Sequence, residues 1–229
     1  MKRLAATLAL VALAGPAFAR ERAPQSNYAN PSAVIAAEIA FAQLAQDKGQ
    51  WTAFRATATK DAVMFTPQMV YVQEFLGGKA DPAKSVTWQP HQVWSSCDGS
   101  IGVTRGAWQR GELTGFFTTI WQRQKDGAYK WIMDQGDELP MALDPPEMIV
   151  AKVADCPKGP RGKPGKLPKL PKKLPPLDSG HAVGQSLDGT LNWEVTVQPD
   201  GARNLSVSMV IGGAMTPVQV VEFAAPPAR

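Results

Sequence analysis

The stretch GFFTTIWQRQKDGAYKWIMDQ, residues 115–135, predicts two antiparallel β-strands joined by a tight turn at Asp126-Gly127. Aromatic and β-branched residues on both sides of the turn favour strands, and an Asp-Gly pair between such runs is a strong hairpin signal. Two more strands precede this hairpin, in SVTWQPHQVWSS (85–96) and SIGVTRGAW (100–108). Because the connections are short, the four strands predict an antiparallel meander.

Helices are predicted before the meander. One helix starts at Asn30-Pro31, since Pro is tolerated in a first helical turn, and it ends at Gly49 after Lys48. A second helix is expected around 50–57. DAVMF (61–65) is expected to be a strand, and the next apolar stretch, VYVQEFL, fits either a strand or a short helix. Helices followed by a meander predict an α+β fold.

The order of these elements resembles that of the nuclear-transport-factor-2-like superfamily, and within it small bacterial SnoaL-like proteins. The resemblance covers residues 30–140 and implies a cone-shaped, curved antiparallel sheet wrapped on the N-terminal helices, with a pocket at the wide end. It also implies a homodimer through the outer face of the sheet. Since the superfamily includes enzymes and non-enzymes, the fold alone implies no activity. The pieces that carry the resemblance are EIAFAQLAQDKGQWTAF (38–54), DAVMFTP (61–67), LGGKADPAKSVTWQP (76–90), DGSIGVTRGAW (98–108) and TTIWQRQKDGAYKWIMDQGDE (118–138).

The first residues have the pattern of a signal peptide. Lys2 and Arg3 precede an apolar run at 4–14, and Ala17-Phe18-Ala19 is the small-x-small sequence that a signal peptidase recognises. We therefore expect cleavage after Ala19 and a periplasmic or secreted protein. In that compartment two cysteines favour one disulfide, between Cys97 and Cys156, over a pair of unlinked thiols.

A basic, proline-rich stretch divides the remaining chain. PKGPRGKPGKLPKLPKKLPP (157–176) carries seven positive charges and no acid, although the whole chain has a net charge of only +4. The rest of the chain is therefore acidic, which does not favour binding to nucleic acid. We expect an α+β domain at 20–156, a linker at 157–177 and a short all-β segment at 178–229. The linker is interpreted as a solvated spacer, or as a weak contact with anionic envelope components through its lysines.

The segment after the linker predicts three strands. TLNWEVTVQ (190–198), RNLSVSMVI (203–211) and VQVVEF (218–223) contain alternating apolar residues or β-branched runs. Three short strands are marginal as an independent domain, so we expect them to dock on the first domain or on a partner.

His91 is a first candidate for catalysis, within the sequence WQPHQVW. In a regular strand Trp88 and Trp94 share one face and His91 lies on the other. Pro90 indicates an edge strand or a bulge, and a bulge would change this alternation. The alternative is a packed or surface histidine, because no nearby acid orients the ring. His91 and His181 without a Cys/His cluster predict no metal site, and no motif predicts a cofactor.

Glu38 is a second candidate, since it falls on the apolar face of the first helix with Val34 and Phe41. A buried carboxylate is costly unless it is paired or protonated. Burial would raise its pKa and suit it to proton transfer. The alternative is a structural pair with a basic side chain such as Arg55 or Arg105.

Asp134 is a third candidate, near the end of the last strand of the meander. Regular alternation puts Trp131 and Met133 on one face and Asp134 on the other. Asp134 is interpreted as a base at the pocket mouth, or as a turn-forming acid that accepts backbone hydrogen bonds.

These residues support three functional interpretations. The first is an exported, non-catalytic protein that binds a small apolar or aromatic molecule. The second is a cofactor-free lyase or isomerase that uses a carboxylate as general acid and base. The third is an envelope-associated interaction protein. In the first two interpretations the tryptophans line a ligand pocket. The alternative is that they belong to the ordinary apolar core. The predicted pocket residues are Trp88, Trp94, Trp121, Trp131, Met133 and Arg105.

Overall fold

The computed structural model describes residues 28–157, 166–167, 169, 174, 176–177 and 180–225. The predicted signal peptide and the lysines proposed for envelope contact lie outside these residues, apart from Lys166 and Lys169. Among the described residues, no helix has both the length and the apolarity needed to cross a membrane. The elements are α1 (Pro31–Lys48), α2 (Gln50–Thr57), β1 (Ala58–Phe65), β2 (Met69–Tyr71), α3 (Val72–Phe75), β3 (Thr87–Ser95), β4 (Ile101–Arg110), β5 (Leu113–Arg123), β6 (Tyr129–Leu139), β7 (Val150–Val153), β8 (His181–Gln185), β9 (Leu191–Val197), β10 (Arg203–Ile211) and β11 (Ala214–Phe223).

Helix α1 begins and ends as the sequence predicts. The Asn30 side chain accepts a hydrogen bond from the backbone N–H of Ala33 at 3.1 Å, and Pro31 occupies the first helical position. Gly49 ends the helix with φ +102°, in the left-handed region where glycine carries no steric cost. The carboxylate of Asp81 then caps α2, accepting from the Thr52 backbone N–H at 2.9 Å.

Seven strands form the first sheet, in the order β2-β1-β6-β5-β4-β3-β7. Strands β3 to β6 are the predicted antiparallel meander. The edges differ from the prediction, since β1 pairs in parallel with β6 and β7 pairs in parallel with β3. Helix α1 packs against the concave face of this curved sheet, so the predicted α+β class is confirmed.

Four strands form the second sheet, in the order β11-β10-β9-β8. Its inner face packs on the convex face of the first sheet in one shared apolar core. The predicted C-terminal strands therefore dock on the rest of the chain. The resemblance implied that the convex face joins two copies, but the chain's own second sheet covers it. Core members from the two sheets include Ile101, Val103, Ile120, Leu205, Val207 and Met209.

Two similar turns join the sheets. Cys97 N–H donates to Thr190 Oγ1 at 2.9 Å, and Leu187 N–H donates to Ser100 Oγ at 2.9 Å. Since each turn offers the other the same donor and acceptor positions, the contact has an approximate two-fold symmetry. The turns are SCDGS at 96–100 and SLDGT at 186–190.

The predicted disulfide is confirmed. Cys97 and Cys156 are bonded, with their Cα atoms 5.2 Å apart. The bond ties the first of these turns to the segment that follows β7. The segment leaving the first sheet is thereby held beside the docked turns.

A β-bulge at His91 changes the predicted alternation in β3. Pro90 pairs with Gly106 and Gln92 pairs with Arg105, so His91 is an extra residue in the ladder. Trp88 consequently lies on the concave face, and Trp94 lies in the core between the sheets. The expectation that the two tryptophans share a face is wrong, because regular alternation does not continue through a bulge.

A second bulge does the same in β6. Trp131 pairs with Trp121 and Met133 pairs with Ile120, which leaves Ile132 as the extra residue. Trp131 lies under α1, while Met133 faces the second sheet. The expectation that Trp131 and Met133 share a face is therefore also wrong. Asp134, which follows Met133, lies on the concave side with Trp131.

Candidate functional site

A cavity of about 450 Å³ lies between the helices and the concave face of β4, β5 and β6. Helices α1 and α2 form one wall, and the strands form the other. Six aromatic residues line it, together with six polar or charged residues, Val86 and Gly136. The aromatic residues are Phe41, Phe54, Phe65, Trp88, Trp108 and Phe117; the others include Gln50, Val86, Arg110, Asp134, Gln135, Asp137 and Glu138.

Glycine in β5 allows Trp108 to lie flat on the sheet. A Cβ atom at Gly115 would come within 2.3 Å of the Trp108 ring, so any other residue would displace the indole. The indole N–H donates to the Phe116 carbonyl at 3.0 Å, which fixes the ring. The cavity therefore has a rigid aromatic wall.

Asp134 lies on the strand wall of this cavity. Its Oδ1 accepts a hydrogen bond from Thr119 Oγ1 at 2.7 Å. The pKa of Asp134 is raised to about 7: burial is the largest cause, the Thr119 hydrogen bond opposes it, and the nearby Glu38 carboxyl adds a smaller increase. Near neutral pH this carboxyl can therefore both give up and take up a proton.

Glu38 is fully buried behind the cavity wall, on α1. Trp88 Nε1 donates to its Oε1 at 2.7 Å, and Trp121 Nε1 donates to its Oε2 at 3.1 Å. Thr104 Oγ1 also donates to Oε2, at 2.5 Å. Burial raises the pKa of Glu38, against the lowering by these hydrogen bonds. Glu38 thus joins α1 to three strands of the sheet.

The basic partners expected for Glu38 lie elsewhere. Arg55 donates to the Leu76 carbonyl at 2.8 Å. Arg105 lies on the convex face, with its guanidinium carbon 5.4 Å from the centre of the Phe116 ring. The predicted ion pair is wrong, because indole and hydroxyl donors satisfy the carboxyl instead of a cation.

Of the six residues predicted to line a pocket, Trp88 lines this cavity. Trp121 and Trp131 are fully buried beneath α1 and pack around Phe41. Trp94, Met133 and Arg105 are on the other face of the sheet, as described above. The prediction missed Trp108 and Phe117, although their concave positions follow from regular alternation along β4 and β5.

The histidines do not join the carboxyls. His91 lines a separate groove beside α1, where burial lowers its pKa and its Nε2 atom has no hydrogen-bond partner among the residues that the structure describes. His181 is exposed on β8 and pairs with Glu194 at 2.8 Å. Neither histidine is among the residues that line the cavity, so His91 does not pair with Asp134 or Glu38 there. Within the described ranges, no group of three or more His, Cys, Asp or Glu side chains could hold a metal ion.

No family model matches the sequence, and no curated protein matches it. Solved structures that are similar include a candidate ketosteroid isomerase from Parabacteroides distasonis, 16% identical over 51% of this chain and 98% of that one, with a TM-score of 0.38. An NTF-2-like protein of unknown function from Silicibacter pomeroyi is 14% identical over 48% and 99%, with a TM-score of 0.36. A candidate aromatic ring hydroxylase from Novosphingobium aromaticivorans is 16% identical over 48% and 88%, with a TM-score of 0.36. Similarity at this level assigns neither an activity nor a ligand to this chain.

Proposed function

We propose that this protein binds a small molecule with an apolar, planar body in the cavity of α1, α2 and β4–β6. A volume of about 450 Å³ is within the range of small-molecule sites, and such sites combine apolar walls with a few polar groups. Aromatic rings from both walls supply the apolar surface. The proposal concerns binding, and it makes no use of a metal or cofactor.

The observation that carries the proposal is the position of Asp134. Its carboxyl lies on the wall of an aromatic cavity, and only Oδ1 accepts a hydrogen bond from a described residue, Thr119. The other oxygen is left for a polar group of the ligand. A partly buried carboxyl with incomplete hydrogen bonding is costly for folding, which is typical of a group retained for a ligand.

Titration with N-phenyl-1-naphthylamine, a neutral dye whose fluorescence rises in apolar surroundings, tests the proposal. We expect saturable binding at one site. Val86→Trp places a large ring in the cavity and should weaken binding at least tenfold. Val150→Trp, on the exposed edge strand β7, is the matched control and should leave binding unchanged. Equal binding by wild type and Val86→Trp would contradict the proposal.

A second candidate function is proton transfer at carbon. The observation that favours it is the pKa of Asp134, raised to about 7, because an acid–base catalyst works best when its pKa is near the working pH. Ionised Asp134 would take a proton from a carbon beside a carbonyl, and protonated Asp134 would return it at the same or another carbon. This is the chemistry of a cofactor-free isomerase or lyase.

Deuterium exchange tests this second function without knowledge of the substrate. The protein is incubated in D₂O with α-tetralone, and loss of the proton signal beside the carbonyl is followed by NMR. Catalysed exchange that disappears in Asp134→Asn and persists in Glu222→Gln, an exposed control on β11, would support proton transfer. Exchange at the same rate in both variants would show that Asp134 does not transfer the proton.

We also propose that the protein functions outside the cytoplasm. The disulfide between Cys97 and Cys156 is compatible with an oxidising compartment. Fusion of alkaline phosphatase after residue 25 tests export, since that enzyme is active only when it is exported. An inactive fusion that is stably expressed would contradict the proposal.

A further inference from the structure

The cavity is lined by more negative than positive charge. Asp134 and Glu138 contribute two carboxyl groups from β6, and Arg110 contributes one guanidinium from β4. Asp137 pairs with Phe116, so its carboxyl lies on the opposite face of β6, near Arg203. Within the described part of the chain Asp134, Glu138 and Arg110 form no ion pair. With Asp134 ionised, these three side chains give the lining an excess of one negative charge.

The groups behind the walls do not reverse this balance. Burial favours the neutral form of Glu38 on α1. Arg203 of β10 donates to the Gly136 carbonyl at 3.1 Å, but its guanidinium carbon lies on the opposite face of β6, 4.3 Å from the centre of the Phe223 ring. The residues that α2, β1 and β5 contribute to the cavity are uncharged: Gln50, Phe54, Phe65 and Phe117.

Two tryptophans and a carboxylate follow one another across the strands. Trp88 pairs with Trp108, which pairs with Gly115, which pairs with Glu138. Because Gly115 has no side chain, the indole of Trp108 covers it and extends towards the strand that carries the carboxylates. Indole rings attract cations through the negative charge on their faces, more strongly than other aromatic rings do.

We propose that the ligand of this cavity is an organic cation, an amine or quaternary ammonium group attached to an apolar body. This inference rests on the binding function proposed above and names its ligand class. A cation that enters the cavity loses its contacts with water. Contacts with the carboxylates and the indole faces replace them. An anion of the same size would lose the same hydration and be repelled by two carboxylates, and only Arg110 would attract it.

Three probes of nearly equal shape test the inference at pH 8. Benzyltrimethylammonium is the cation, neopentylbenzene is its neutral isostere, and benzylsulfonate is the anion. Each competes with N-phenyl-1-naphthylamine for the wild-type protein, and the dye reports displacement. We expect the cation to displace the dye at a concentration at least tenfold lower than the neutral compound, and the anion to be the weakest.

Asp134→Asn should reduce the affinity for the cation about tenfold and leave that for neopentylbenzene unchanged. Glu222→Gln, which removes the same charge from the exposed surface of β11, should change neither.

If neopentylbenzene or benzylsulfonate displaces the dye as well as the cation does, the inference is wrong and the proposed binding function stands. If the dye itself does not bind, the binding function fails and the inference fails with it. A cation preference that Asp134→Asn leaves intact would also overturn the assignment to this carboxylate.

Discussion

Replacing Asp134 with asparagine should stabilise the folded protein, and the gain should depend on pH. The pKa of Asp134 is raised from 3.8 to about 7 in the folded state. The folded state therefore holds its proton more tightly than the unfolded state does. As pH rises from 4 to 7, the unfolded chain loses this proton first, so folding becomes progressively less favourable in the wild type.

The size of the effect follows from the shift. At 1.36 kcal/mol per pKa unit, a change from 3.8 to about 7 corresponds to about 4 kcal/mol of lost stability above pH 7. Because Asp134 borders a cavity that solvent can enter, we expect roughly half of that. Asparagine keeps an acceptor for Thr119 and cannot ionise, so Asp134→Asn should show none of the loss.

Urea unfolding of both proteins between pH 4 and 8.5, with the disulfide intact, measures the difference. We expect similar free energies of unfolding near pH 4, an advantage of Asp134→Asn that grows by about 2 kcal/mol up to about pH 7, and a nearly constant difference above that. Glu222→Gln should follow the wild type over the range. A difference between Asp134→Asn and wild type that does not change with pH would refute a raised pKa.

Three further sets of substitutions test the rest of the structure. Glu38→Ala should cost about 3 kcal/mol, because it removes the acceptor that Trp88, Thr104 and Trp121 share, whereas Glu38→Gln should cost less. Urea unfolding followed by tryptophan fluorescence compares the two variants, and equal losses would contradict the hydrogen-bond assignment. Serine at both Cys97 and Cys156 should lower stability by about 4 kcal/mol on the chain-entropy model, seen as a lower Tm in calorimetry; an unchanged Tm would mean that the bond constrains little. Thr190→Val should cost about 1 kcal/mol, and Ser100→Ala a similar amount; if neither changes the unfolding midpoint, the two turns do not hold the sheets together.

Much of the local structure could be predicted from the sequence. The Asp-Gly turns at 98–99 and 126–127 mark hairpins, and Asn30 and Gly49 mark the ends of α1, because turns and helix caps depend on residues close together in the chain. One local signal was missed, namely the recurrence of the turn SCDGS as SLDGT. That recurrence predicts two similar turns, although nothing in it predicts that they contact each other.

The faces of β3 and β6 depended on tertiary structure. Whether a strand contains a bulge is decided by its pairing with neighbouring strands, and one extra residue reverses every later side chain. Regular alternation fails at His91 and Ile132, and it therefore predicts the wrong faces for Trp94 and Asp134.

The sequence by itself determined the helices, the meander, the disulfide and the candidacy of Glu38 and Asp134, since each depends on local pattern or residue type. Only the tertiary structure decided what surrounds those carboxyls. The donors to Glu38 are 50, 66 and 83 residues away in the chain, on three different strands. Such partners meet only when the sheet closes around α1, and that closure also encloses the cavity on which the proposed function depends.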